Sequence, residues 1–113
     1  MNTKNLANAM PLPEHAIYMS DVFRDEILIN MNYLRGGNGS GSITVTQQEA
    51  DKYRGDFHGL LLSKGQQRHH LWLLTVFNGL TCSTEYNSDF LVIRIPDTDR
   101  LQKIENTFNT VYI

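Results

Sequence analysis

The sequence predicts an α+β fold, an antiparallel sheet of four to five strands in meander order with an N-terminal and a C-terminal helix packed on one face. Three observations predict it. Apolar residues recur at helical spacing in two stretches, Phe23, Ile27, Met31 and Leu34 near the start and Leu101, Ile104, Phe108 and Val111 at the end. Between them lie four apolar runs of strand length: Phe57 to Leu62, Arg68 to Phe77, Leu80 to Tyr86 and Phe90 to Ile95. Turn signals separate the runs, namely Ser63-Lys64-Gly65, Asn78-Gly79 and Asn87-Ser88-Asp89, and Asn-Gly between apolar runs marks a hairpin.

The second run is the most apolar and holds the single tryptophan. As a strand it puts Trp72, Leu74 and Val76 on one face and Leu71, Leu73 and Phe77 on the other, the mark of a central strand. Two helices cover one sheet face, so the other face needs a tail, a partner or a second copy. Residues 66–80 also satisfy a helical template, with His69, Trp72 or Leu73, Val76 and Leu80 in register, and leucine favours helix. Under that alternative the order becomes a ferredoxin-like βαββαβ alternation.

The remaining elements follow in order. Residues 1–13 are polar, with Pro11 and Pro13 bracketing an extended segment, and read as an N-terminal tail to a single α+β domain spanning 14–113. From Glu14 a helix competes with a short strand at 15–19; Ser20 or Asp21 caps the helical pattern, and Arg35 with Gly36 ends it. Gly36-Gly37-Asn38-Gly39-Ser40-Gly41 follows a helix and precedes the short strand Ile43-Thr44-Val45, the reverse of a phosphate-cradling order, so it reads as a flexible linker. Thr46-Gln47-Gln48-Glu49 matches a capping box that starts a short helical turn through Lys52 and Tyr53, ended by Gly55. Pro96 stops the last strand, and Asp97 or Thr98 caps the final helix.

A chain of 113 residues suffices for one core without staples. The net charge of −2 gives no electrostatic case for a polyanion, which argues against nucleic acid. One cysteine, Cys82, excludes an internal disulfide and fits a reducing compartment. No run approaches the roughly 18 apolar residues of a membrane span, and no signal-peptide pattern opens the chain. The expectation is a soluble cytoplasmic protein.

No residue pattern names a reaction. His69 and His70 are adjacent, an arrangement unsuited to chelating one ion, and neither H-x-x-x-H nor C-x-x-C occurs, so no metal site is expected. Cys82 lies on the apolar side of its expected strand with Leu80 and Tyr86, as a small hydrophobe. The carboxylate pairs Asp25-Glu26 and Asp97-x-Asp99 sit at helix starts, where the helix dipole accounts for them.

Phe23-Arg24, Ile27, Met31-Asn32-Tyr33 and Arg35, following Ile17-Tyr18-Met19-Ser20, together with Tyr53-Arg54-Gly55, resemble the first strand, first helix and tyrosine segment of the small phage S-adenosylmethionine lyases. The resemblance covers about a third of the chain. It implies a trimeric ferredoxin-like enzyme that cleaves S-adenosylmethionine, with Tyr53, Arg24 and Asn32 as catalytic residues. The spacing to Tyr53 is shorter than in that family, and the acidic residue after the tyrosine has no counterpart. A helix at 66–80 accords with this enzyme, a strand with the reading below.

Surplus apolar sheet surface instead predicts a small non-catalytic protein-binding module without cofactor, acting through an exposed sheet face or edge on a protein partner or a second copy of itself. Trp72, Phe77 and Phe90 are its expected anchors. An inhibitor or accessory protein of bacterial or phage origin fits this description.

Overall fold

The computed structural model describes residues 16–112 apart from Asn38. The expected tail, and the expected helix start at residues 14 and 15, lie outside the described residues. A 3-10 turn, Ala16–Met19, leads into helices α1 (Asp21–Ile29) and α2 (Met31–Arg35). Strand β1 (Gly41–Thr44), helices α3 (Gln47–Lys52) and α4 (Phe57–Ser63), a 3-10 turn at Arg68–His70 and helix α5 (Leu71–Phe77) follow. A further 3-10 turn at Ser83–Glu85, strand β2 (Val92–Ile95) and helix α6 (Thr98–Tyr112) complete the order. Helices dominate, and the described residues form one two-stranded antiparallel sheet with Ile43 opposite Ile93 and Gly41 opposite Ile95.

The meander of four to five strands is therefore overturned, and so is the ferredoxin-like alternative, which needs a four-stranded sheet. The reason lies in the turn signals. Gly65 and Gly79 both have positive φ, 84° and 83°, but each serves as a helix C-cap rather than a hairpin turn. Gly65 N–H donates to Leu62 O and Gln66 N–H to Leu61 O; Gly79 N–H donates to Val76 O and Leu80 N–H to Thr75 O, all at 3.0 Å. These paired bonds close the last carbonyls of α4 and α5 in the Schellman pattern. Once α4 and α5 are helical their apolar residues fall into register. Phe57, Leu60 and Leu61 of α4 are buried, as are Leu73, Leu74 and Phe77 of α5.

The run Leu80 to Tyr86 is likewise a loop. Its backbone bonds close locally, Glu85 N–H to Cys82 O and Tyr86 N–H to Ser83 O, and Thr81 N–H donates to the Glu85 carboxylate at 2.7 Å. Cys82 is exposed rather than packed on an apolar face. Of the fourth run, Val92–Ile95 is the strand.

The apolar side chains form two layers. The first gathers Tyr18, Phe23, Ile27, Leu34, Leu101, Ile104 and Phe108 around Leu73 and Phe77 of α5. The second gathers Val45, Ala50, Phe57, Leu60, Leu61, Tyr86 and Ile93 around Leu74 of the same helix. Helix α5 is thus the shared wall.

Caps expected from the sequence hold the periphery. The Ser20 hydroxyl accepts from Phe23 N–H, and Thr46 and Glu49 form the reciprocal capping box. Lys64 Nζ reaches both Glu49 oxygens, at 2.8 and 2.7 Å, tying the end of α4 to the start of α3. Asp97 caps α6, one oxygen accepting from Asp99 N–H at 2.9 Å and Arg100 N–H at 3.3 Å. Its other oxygen accepts from Gly39 N–H at 3.0 Å. The glycine stretch is accordingly a fitted turn and not the expected flexible linker: a Cβ at Gly37 would lie 2.2 Å from Asp97 Oδ2.

Two predictions follow from this arrangement. Leu73→Ala and Leu74→Ala remove buried atoms from opposite layers and should each cost about 2–5 kcal/mol in urea unfolding, whereas a loss under about 1 kcal/mol for either would mean that α5 is not shared. The Lys64 ammonium first, then Thr46 N–H, hold the Glu49 carboxyl below the ordinary range; Gly39 N–H first, then the Arg100 and Asp99 N–H groups, do the same for Asp97. Because both folded-state values lie below the unfolded value near 4, their stabilisation is present above about pH 4 and is lost as pH falls through the folded values. The melting temperature should drop between about pH 5 and pH 2, and the Glu49→Gln/Asp97→Asn double variant should start lower and fall less over that window.

Candidate functional site

Helix α1 is apolar on two sides. Phe23 and Ile27, four residues apart, are fully buried against α5 and α6. Val22 and Ile29, seven residues and two turns apart, form an outward stripe, and Met19 in the turn before the helix is exposed as well. Val22 is 49% exposed, Ile29 76% and Met19 79%, so this stripe lacks cover while the opposite stripe has it. A helix of a stable monomer ordinarily shows one apolar stripe.

The rim of the outward stripe is acidic. Asp21, Asp25 and Glu26 stand beside it, and among the described residues the ion pairs are Lys64–Glu49 and Arg54–Asp51, which use none of the three. Arg24, the one basic residue of α1, faces inward. Its Nε–H donates to Tyr18 O at 2.9 Å, and its guanidinium lies 4.9 Å from the centre of the Trp72 ring. Among the described residues, no ion pair neutralises the three acids of this face.

On the opposite flank of the first layer a polar and aromatic cluster secures the chain before α1. The Tyr18 hydroxyl donates to Glu105 of α6, and its ring meets Phe23 edge-on at 4.8 Å and both histidine rings at 5.3 Å. Burial first, then the bond to Glu105 and its charge, push the Tyr18 phenol far above its ordinary range. It stays protonated, a donor and not a base. The His69 and His70 rings lie 4.1 Å apart, but no group of three or more His, Cys, Asp or Glu is placed to hold a metal among the described residues.

The sequence-expected anchors fall in the core layers instead of on one surface. Phe77 is 4% exposed within the first layer, which removes it as an anchor. The cause is the cover that α1, α2 and α6 give to the side of α5 carrying Leu73 and Phe77. Trp72 is half-buried beneath Arg24, and Phe90 is half-buried against Phe57 and Tyr86 of the second layer. The expected sheet edge is also occupied at its middle, since the Asn78 side chain accepts from Arg94 N–H at 2.6 Å and donates to Arg94 O at 3.1 Å. That amide stands where another strand would pair.

Of the residues implied by the lyase resemblance, Arg24 packs on Trp72 by the first layer, Tyr53 packs on the second layer, and Asn32 is exposed on α2. They do not share one cleft. Cys82 shares a hydrogen bond with the Thr84 hydroxyl at 3.0 Å, which, ahead of backbone N–H contacts, lowers its thiol below the ordinary value.

Sequence reasoning passed over the outward stripe of α1, although Val22 and Ile29 at a spacing of seven, off the Phe23–Ile27 stripe, carried the signal. No helix among the described residues is long and apolar enough to cross a membrane. No family model, curated protein or solved structure matches the chain.

Proposed function

We propose that this chain is a small non-catalytic protein-binding module whose contact element is the outward face of α1. The observation that carries the reading is a helix with two apolar faces, one of which leaves Ile29 76% exposed. Exposed apolar groups rimmed by charge mark interaction sites more often than they decorate a monomer surface. Val22 and Ile29, with Met19, are the apolar anchors.

The rim selects the partner. Pairing two copies of this face about a two-fold axis would bring Asp21, Asp25 and Glu26 against the same three acids, a like-charge contact that costs affinity. A different protein presenting apolar side chains among lysines and arginines suits the face better. Inhibition or accessory binding is the corresponding role.

The test compares captured partners. Val22→Asp/Ile29→Asp should leave urea stability within about 0.5 kcal/mol, because both side chains are exposed. The double variant should lose partner affinity by about tenfold or more, roughly 1.4 kcal/mol. Gln102→Asp, a control of like charge on the exposed side of α6, should keep the partner. Binding should also weaken as salt rises. An identical captured set for wild type, double variant and control would sink the proposal.

The helical conformation of residues 68–77 is the one feature that accords with the enzyme reading, against a two-stranded sheet where that family's fold needs four strands. Incubation with S-adenosylmethionine decides it: release of methylthioadenosine that Tyr53→Phe abolishes would support the lyase, and an inert preparation with no thermal shift would remove it.

A further inference from the structure

A second feature lies on the flank of α1 and is separate from its apolar stripe. A cleft of about 510 Å³ opens between the α1–α2 pair and α6, within the size range of small-molecule sites. Its floor is Ile104 and Phe108, both buried in the first layer. Its walls are polar, with Glu26 and Asn30 on one side, Lys103 and Thr107 on the other, and Tyr33 completing the lining from α2.

The two charges are the informative part. The Glu26 carboxylate and the Lys103 ammonium line the same cleft, yet they lie beyond ion-pair distance of each other, and neither belongs to the ion pairs formed among the described residues. Other groups around the cleft are already held in place. Asn30 Nδ2 donates to Glu26 O at 2.8 Å, which ties down the end of α1 and leaves Asn30 Oδ1 as an acceptor. Arg100 Nη1 donates to Tyr33 O at 2.6 Å, with its guanidinium 4.6 Å from the centre of the Tyr33 ring. These bonds fix the backbone on either side of the cleft, while the Glu26 and Lys103 side chains have still to be ordered by a ligand.

From this we infer that the cleft binds a small zwitterion with an apolar side group, the chemistry of a free aromatic or branched aliphatic amino acid. The ligand ammonium pairs with Glu26, the ligand carboxylate with Lys103, and the side group covers Ile104 and Phe108. A ligand with one charge pairs with only one of the two walls and gains correspondingly less. An apolar side group adds contact with the small part of Ile104 and Phe108 that stays accessible. Glu26 also stands in the acidic rim of the α1 surface, so Lys103→Gln, outside that rim, separates this inference from the partner surface.

L-Phenylalanine titrated into the isotope-labelled full chain and followed by amide chemical shifts is the test. Saturable shifts at Asn30, Tyr33 and Thr107 are expected, with a Kd on the order of 1 mM for a ligand of this size. Phenethylamine and 3-phenylpropionate, each lacking one charge, should bind at least about fivefold more weakly. Lys103→Gln should weaken phenylalanine and phenylpropionate but spare phenethylamine, and Glu26→Gln should do the reverse. Preserved spectral dispersion in both variants establishes that they fold. The inference is overturned by an absence of saturable shifts up to about 20 mM, by equal binding of the singly charged analogues, or by titrations that neither variant changes.

Discussion

Burial of one short helix on two sides is the constraint on which the structure depends. Helix α5 sends Leu73 and Phe77 into one apolar layer and Leu74 into the other. Neither layer closes without it. The first is otherwise built from α1, α2 and α6, and the second from α3, α4 and the two strands. Residues remote in sequence therefore share a single wall, and the polar ends of α5 have to be satisfied within a crowded setting. Its C-terminal cap does more than end the helix. Asn78 donates to Leu74 O at 2.7 Å and also holds both backbone groups of Arg94, so the same residue closes α5 and fills the outer edge of β2. The sheet stays at two strands because that position is taken.

A second polar junction places α6 relative to α2. Asp97 caps the helix with one oxygen and receives the glycine turn with the other, while Arg100 holds Tyr33. A carboxylate with three N–H donors is strongly localised, and glycine lets the backbone approach it closely. This junction fixes the separation between α1–α2 and α6, and with it the width of the cleft carrying Glu26 and Lys103. Tyr18 performs a similar service on the opposite flank, joining the chain before α1 to Glu105. Three residues of α6, at positions 97, 100 and 105 or just before it, thus set the frame for everything placed on α1.

The functional reading rests on what this frame leaves unused. Inward residues of α1 are consumed by the core, and its one arginine is turned toward Trp72, so the outward face keeps apolar side chains with acids that form no ion pair among the described residues. A monomer gains nothing from that combination. It is useful as a surface for a basic and apolar partner. The cleft on the flank of the same helix carries separated opposite charges, a different chemistry from the stripe, and Glu26 borders both features.

Local sequence determined the starts of α1, α3 and α6 with their caps, and the buried stripes of α1 and α6. Ser20, the Thr46–Glu49 box and Asp97 act as expected because capping depends on a few neighbouring residues, and the Phe23–Ile27 and Leu101–Ile104–Phe108 stripes pack as their spacing requires. The acids beside α1 were also legible, though they were assigned to the helix dipole alone. Only tertiary structure decided whether the central apolar runs are strands or helices. A glycine at positive φ ends a helix as readily as it turns a hairpin, and a short run apolar on both sides fits a central strand or a two-sided helix equally well. The choice came from burial: α5 as a helix satisfies its own backbone and still fills two layers, whereas a strand there would need neighbours that the surrounding helices do not provide. The same choice moved Phe77 into the core and the exposed apolar surface from the sheet to α1.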